Sequence, residues 1–329
     1  MSTPPTPTPR RPANRRRMLR QSAGAIAALA AAPRWVQALT QPGTNTPPQA
    51  SSMTSAINTR PIPASGEALP VIGCGTYLGF DVAPGSADYA QLPGVLDALF
   101  AAGGSVIDSS PMYGRAETTS GELLAAAGSR PKAFIATKVW TSGRAAGVAQ
   151  MEQSFDKLRC ERIDLLQIHN LLDWRTQLVT LRRMKEAGRV RYIGITHYSE
   201  SAYAEVEAVL RAEKLDFLQI NYALDDSAAA ERLLPLAQQR GVAVLINRPF
   251  GGGGLLRRLS GKPLPAWAAD IGCASWAQLL LKFVLSHPAV TCAIPGTRRP
   301  EHMRDNLAAG RGTLPDAAFW RQHAEAVLA

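Results

Sequence analysis

Cysteine is scarce in this chain. Its four residues, Cys74, Cys160, Cys273 and Cys292, form no CxxC pair and show no metal-ligand spacing, so nothing asks for a metal site or a disulfide framework. Cys74 and Cys292 sit in apolar, strand-like runs and read as buried thiols. A membrane-spanning run is missing as well: the apolar stretch Ala23 to Ala32 falls well short of the ~20 residues a spanning helix needs, which excludes stable membrane insertion through it. Acid is absent from residues 1–38, which hold seven arginines; without those seven the formal charge of +10 falls to +3. The basicity therefore belongs to the leader, and nucleic acid is discounted as a partner. Two glycine fingerprints are also incomplete. Gly73-Cys74-Gly75 does not continue into GxGxxG, and Gly251 to Gly254 lacks the GK[ST] ending of a P-loop. No internal repeat is visible.

The leader itself has a layout. Arg15-Arg16, with Met18-Leu19-Arg20 behind, precedes the short apolar run, and Val36-Gln37-Ala38 offers a small-x-small end. This resembles a twin-arginine export signal, with cleavage expected after Ala38. The expectation is a signal peptide over 1–38, a partner in the twin-arginine export machinery, and a periplasmic or otherwise exported mature chain. The alternative is a disordered basic arm. Residues 39–61, rich in Pro, Thr, Ser and Gln, read as a flexible linker, and 62–329 as a single folded domain.

From there strands and helices alternate. Strands are expected at Leu69 to Thr76, Ser105 to Asp108, Phe134 to Lys138, Ile163 to His169, Val190 to Thr196, Phe217 to Asn221, Val242 to Asn247 and Val290 to Pro295. Helical spacing follows each, as in Leu92, Val95, Leu96 and Leu99 after the first. Gly188 and Gly241 stop two of the helices, and Pro300 opens the last one before residue 309. Eight such pairs predict an α/β fold of the closed (β/α)8 TIM-barrel class. An open doubly wound sheet is the competing arrangement.

Chemistry gathers at the carboxyl ends of three successive strands. Asp108 ends the second, with Tyr113 in the loop beyond; Lys138 ends the third and His169 the fourth. An ionised group at the end of an apolar strand needs a partner, and neighbouring strand ends can supply one. Each residue alone has an ordinary structural reading. Together they suggest that Asp108 orients a charged Lys138, that Lys138 lowers the pKa of Tyr113 from ~10, and that His169 donates to a substrate oxygen or shares the proton. A tuned phenol can protonate a carbonyl oxygen. The accompanying hydride lies beyond side-chain chemistry and implies a nicotinamide.

The run Ile107-Asp108 to Tyr113-Gly114, with Lys138, His169 and the barrel, resembles the aldo/keto reductases over roughly residues 62–312. The resemblance implies a catalytic tetrad of Asp108, Tyr113, Lys138 and His169, with Tyr113 as general acid, and a substrate pocket walled by Trp140 beside Tyr113 and His169. Thr196-His197, where the family usually has Ser-Asn, and Gln219 would hold the nicotinamide carboxamide. Asn247 stands where the family often has an aromatic that stacks under the nicotinamide, and Asn247, Arg248, Pro249, Phe250 and Gly251 follow as cofactor contacts, as do Gly75, Thr76 and Asp108. Gly296, Thr297, Arg298, His302 and Asn306 would take the adenosine end. Gly296 and His302 replace a common lysine and arginine there, and Arg298 and Arg299 could compensate. The implied cofactor is NADP(H) ahead of NAD(H), the substrate a small carbonyl compound. The glycine run 251–254 reads as a diphosphate cradle or closing loop, or as a hinge. Two other functions fit the residues: a Schiff-base lyase using Lys138, and a non-catalytic nucleotide-binding sensor.

Overall fold

A computed structural model describes residues 56–329. The leader and most of the neck lie outside the described residues. Eight strands form one parallel sheet: β3 (Cys74–Gly75), β4 (Val106–Asp108), β5 (Phe134–Val139), β6 (Ile163–His169), β7 (Val190–Thr196), β8 (Phe217–Asn221), β9 (Ala243–Asn247) and β10 (Cys292–Ala293), each paired with the next in chain order. The sheet closes on itself. Ile72 bridges Ala293 and Gly75 bridges Gly296, both in the parallel sense, and Gly73 N–H donates to Ala293 O at 2.9 Å. This is a (β/α)8 TIM barrel.

The glycines at that seam have a steric task. A Cβ on Gly75 would sit 2.7 Å from Ile294 O, and one on Gly73 2.7 Å from Val106 Cβ. Gly75 thus lets the first and last strands approach, and Gly73 lets the chain approach β4.

The helices coat the outside: α1 (Ala87–Ala101), α2 (Ala116–Ala126), α3 (Arg144–Leu158), α4 (Trp174–Glu186), α5 (Tyr203–Ala212), α6 (Ala229–Gln239), α8 (Trp276–Ser286) and α9 (Pro300–Ala309). Between strands and helices lies a large apolar layer that includes Leu92, Leu99, Ile135, Ile168, Leu218 and Val244. Strand residues of the opposite parity, among them Phe134, Leu165, Tyr192, Phe217 and Leu245, fill the barrel itself. Every residue of β6 is buried, which is why its sequence runs apolar on both faces.

Three features depart from the sequence reading. Thr59–Pro61 forms β1 and pairs antiparallel with β2 (Ala68–Pro70), so the linker placed at 39–61 ends too late, and the strand expected at Leu69 to Thr76 is two strands with different partners. The hairpin folds Ile62 and Leu69, 0% and 1% exposed, into the barrel core. Beyond the eight pairs, α7 (Gly254–Leu259) follows the glycine run, and α10 (Ala317–Leu328) packs Trp320 and Val327 against Leu255, Leu259 and Leu280. In the same region Trp267 packs edge-on to Phe319, ring centres 5.4 Å apart.

Candidate active site

In-register pairing brings the strand ends together: Gly75 lies beside Asp108, Lys138 beside Gln167, and His169 beside Thr196, which lies beside Gln219. Lys138, 0% exposed, donates from Nζ to Asp108 Oδ2 at 2.7 Å and to the Ser109 carbonyl at 2.6 Å. Asp108 Oδ1 accepts from Gln219 Nε2 at 2.7 Å and from Gln167 Nε2 at 3.3 Å. Its buried charge is thus met by one cation and two amides, as a buried carboxylate requires. Thr76 ties the neighbouring strand to this corner, its Oγ1 donating to Asp108 O at 2.9 Å.

Tyr113 lies over this pair, with Lys138 Nζ 5.0 Å from the ring centre. Its pKa is shifted opposite to the sequence reading. Burial is the largest cause and raises it; Lys138 pulls it down, and Asp108 pushes it up again. Desolvation of the phenolate outweighs the cation, so the phenol stays protonated through the neutral range. For Lys138, burial alone would lower the pKa, but Asp108 and Tyr113 outweigh it and the ammonium is favoured.

His169 is 6% exposed, its ring 6.0 Å from that of Tyr113 and 6.4 Å from that of Trp140. Burial, then the charges of Lys138 and His197, push its pKa down to about 3, so the imidazole is neutral. Nδ1 lies 3.2 Å from Ser110 Oγ. Around the mouth Trp140, Tyr77, Leu78 and Met112 stand exposed, and the Tyr77 ring centre is 5.0 Å from that of Tyr113. The mouth is therefore walled by apolar and aromatic surface above a polar floor.

The next sector is built from Thr196, His197, Gln219 and Asn247. Thr196 Oγ1 donates to Gln219 Oε1 at 3.1 Å, and Asn247 Nδ2 donates to His197 O at 3.0 Å and to Gln219 Oε1 at 3.4 Å. Both ends of the Gln219 amide are thus engaged inside the protein. Asn247 Oδ1 is buried without a partner among the described residues. His197 turns Nδ1 toward the Ser199 N–H and stacks on Tyr198 at 5.6 Å; burial lowers its pKa, with Glu205 opposing. The Arg248 guanidinium reaches over Tyr198, 5.8 Å from the ring centre. Pro249 is buried and Phe250 half-buried behind it.

Gly251, Gly252 and Gly253 all have positive φ: 56°, 81° and 85°. A Cβ on Gly252 would lie 2.9 Å from Arg248 Nη2, and one on Gly253 3.0 Å from Arg257 Nη1. Across the mouth, Gly296 and Thr297 continue from the seam, and Arg298 is engaged with Asp88 of α1, Nη1 to Oδ2 at 2.6 Å. His302 is exposed on α9, while Asn306 lies buried further along that helix. A separate cavity of about 730 Å³ opens at the opposite end of the barrel, among Glu67, Arg130, Cys160 and Arg191. Among the described residues no cluster of three or more His, Cys, Asp or Glu side chains could hold a metal ion.

Sequence reasoning missed Gln167, Ser109, Ser110, Tyr77 and Tyr198. Gln167 carried a signal, as an amide inside the apolar run of β6. The serines did not, because their role depends on which atoms the neighbouring strands bring near.

The description "Aldo/keto reductase family" matches residues 71–324. An aldo-keto reductase of Strobilurus tenacellus is 27% identical over 254 residues, spanning 65% of this chain and 75% of that protein. Among solved structures, an aldo-keto reductase from Klebsiella pneumoniae in complex with NADPH superposes with a TM-score of 0.69 at 26% identity, covering 82% of this chain and 94% of that one. Another Klebsiella pneumoniae aldo/keto reductase, in complex with NADP and acetate, gives 0.67 at 26% identity, with 78% and 92% covered.

Proposed function

The chain belongs to the aldo/keto reductase family and is an oxidoreductase; from that premise we propose that it reduces small aldehydes or ketones with NADP(H), Tyr113 giving the proton. The observation that carries this reading is the buried Asp108–Lys138 pair under the Tyr113 ring, with neutral His169 alongside. Similar structures that hold NADPH or NADP support the cofactor, with NAD(H) the alternative.

Two observations of this chain fit a nicotinamide dinucleotide. The orphaned Asn247 Oδ1, beside Gln219 and His197, is an acceptor suited to an amide N–H. The bare glycine backbone, flanked by Arg248 and Arg257, suits a diphosphate. Thr196, His197, Gln219 and Asn247 would hold the carboxamide, Arg248 to Gly253 the diphosphate, and Gly296, Thr297, Arg298 and His302 the adenosine end. Asn306 is buried on the same helix as His302. When bound, the nicotinamide supplies the hydride.

The chain's own residues do the rest. Tyr113 Oη gives its proton to the carbonyl oxygen, and the Lys138 ammonium stabilises the phenolate left behind. Asp108 keeps Lys138 charged and fixed. Trp140 and Tyr77 exclude water from the reacting carbonyl. A Schiff base at Lys138 would need a neutral, open amine, whereas this one is buried, doubly hydrogen-bonded and held as ammonium. The altered cofactor positions Asn247, Gly296 and His302 favour one second reading, a module that binds the nucleotide and senses it without turnover.

Parallel fluorescence titrations with NADPH and NADH, followed by carbonyl turnover, test the assignment. Wild type and Tyr113→Phe are expected to bind NADPH alike, with turnover in the variant lower by about 10²–10⁴-fold. Binding without turnover in wild type would move the protein to the sensor reading; no binding would remove the cofactor premise. Export through the twin-arginine route, with cleavage after Ala38, is part of the same proposal. Replacing Arg15 and Arg16 by Lys is expected to keep the precursor in the cytoplasm, and continued appearance of mature protein in the periplasm would refute it.

A further inference from the structure

We propose that Ser110 is a positioning residue that holds His169 as the tautomer protonated on Nε2, so that the imidazole offers an N–H to the substrate oxygen. The proposal rests on the reductase reading above for its consequence, and on the geometry of Ser110 for its cause.

Ser110 is 0% exposed, two residues past the end of β4. Its backbone carbonyl accepts from Tyr113 N–H at 3.0 Å, so the same residue seats the phenol and touches the imidazole. Its hydroxyl has one proton to donate. Among the described residues the one polar partner within reach of Oγ is His169 Nδ1, at 3.2 Å. A buried hydroxyl whose proton has no acceptor is unfavourable, so the hydroxyl donates and Nδ1 accepts.

The neutral imidazole carries a single N–H, and the partner of one nitrogen decides which nitrogen keeps it. With the Nδ1 lone pair taken by Ser110, the proton resides on Nε2. Nε2 makes no hydrogen bond to the described residues. The other tautomer would leave the Ser110 proton orphaned and turn the Nε2 lone pair outward, where it would repel a carbonyl oxygen. Burial and the neighbouring charges of Lys138 and His197 keep the ring neutral, so no second proton overrides this choice near neutral pH.

Long-range 15N–1H correlation spectra of protein labelled with 15N-histidine read the tautomer directly. The chain has five histidines, and the His169 signals are identified by their loss in His169→Asn. Wild type is expected to show Nε2 protonated and Nδ1 bare. Ser110→Ala should give a mixed or inverted pattern. Its kcat for carbonyl reduction should fall about 10- to 100-fold, the loss seen when a metal-bound histidine is stripped of its outer partner, with NADPH affinity unchanged. Ser110→Thr, which keeps the hydroxyl, should restore both. A wild-type spectrum with the proton on Nδ1 would overturn the proposal, as would Ser110→Ala keeping both the wild-type pattern and the wild-type kcat. If Ser110→Ala does not fold, the wild-type spectrum decides. The spectrum needs no turnover, so absence of carbonyl reduction would sink the reductase reading while this assignment is still judged on its own.

Discussion

Asp108 accepts from Lys138, Gln219 and Gln167 while 2% exposed, and that arrangement sets the consequences of changing it. Asp108→Asn leaves a buried ammonium without its counter-ion. A loss of about 3–5 kcal/mol in unfolding free energy is expected, together with loss of turnover, both readable by urea titration and assay; a change below ~1 kcal/mol would mean that Lys138 sheds its charge cheaply. His169 gives a pH signature of known sign. Its folded pKa is pushed down to about 3, so below the ordinary value of ~6.5 the unfolded chain binds a proton that the folded chain refuses. Stability is unaffected above that value and falls as pH drops toward 3. Relative to His169→Asn, wild type should lose up to about 1.4 kcal/mol per pH unit there, and a constant difference between the two from pH 7 to 5 would contradict this. Lys138 acts in the other direction: its raised pKa adds stability that is full below ~10.5 and lost as pH rises through the folded value. Sequence reading placed Asp108, Lys138 and His169 at strand ends and Tyr113 in the loop beyond, where the structure has them. It did not foresee that burial would raise the Tyr113 pKa, because a desolvation cost depends on what stands around a side chain.

The loops at the carboxyl ends of the strands carry backbone conformations that the strands avoid. Leu78, Asn170, Leu171, Asp173 and Arg248 all have positive φ, a cost that persists where surrounding contacts over-determine the conformation. Three of the five lie within four residues of His169. On the last loop, Arg298 pairs with Asp88, both about half exposed. Such a pair contributes little to stability but occupies the cation expected to meet an extra phosphate on NADP(H). Arg298→Ala should weaken NADPH binding about tenfold and leave NADH unchanged. Asp88→Asn should shift the same ratio toward NADPH. Parallel titrations read both, and equal losses for the two nucleotides would remove Arg298 from cofactor discrimination. Strand boundaries were legible where the ladders are long. β6, β7 and β8 begin and end where the apolar pattern predicts. At the seam, β3 and β10 shrink to two residues each, and the missing Cβ of Gly75 lets them approach.

At the scale of the molecule the barrel is plugged at one end and open at the other. The β1–β2 hairpin inserts Ile62 and Leu69 at the amino-terminal end, and Ser65 Oγ meets Tyr192 Oη at 2.7 Å. Ile62→Ala should cost about 2–5 kcal/mol of stability while nucleotide affinity per folded molecule stays unchanged. A changed affinity at full folding would mean that the two ends of the barrel are coupled. No helix among the described residues is long and apolar enough to cross a membrane.

Periodicity, strand-end chemistry and punctuation by Gly and Pro were enough to derive the eight-fold barrel and to bring Asp108, Tyr113, Lys138 and His169 to one mouth, because parallel strands advance in register and side chains at their ends must meet. The tertiary structure alone decided which polar atoms are satisfied. It tied Gln167 and Gln219 to Asp108, set Ser110 against His169, left Asn247 Oδ1 without a partner and engaged Arg298 with Asp88. Hydrogen bonding and desolvation act over a few ångströms between residues far apart in the chain, and no local pattern of residue types encodes those distances.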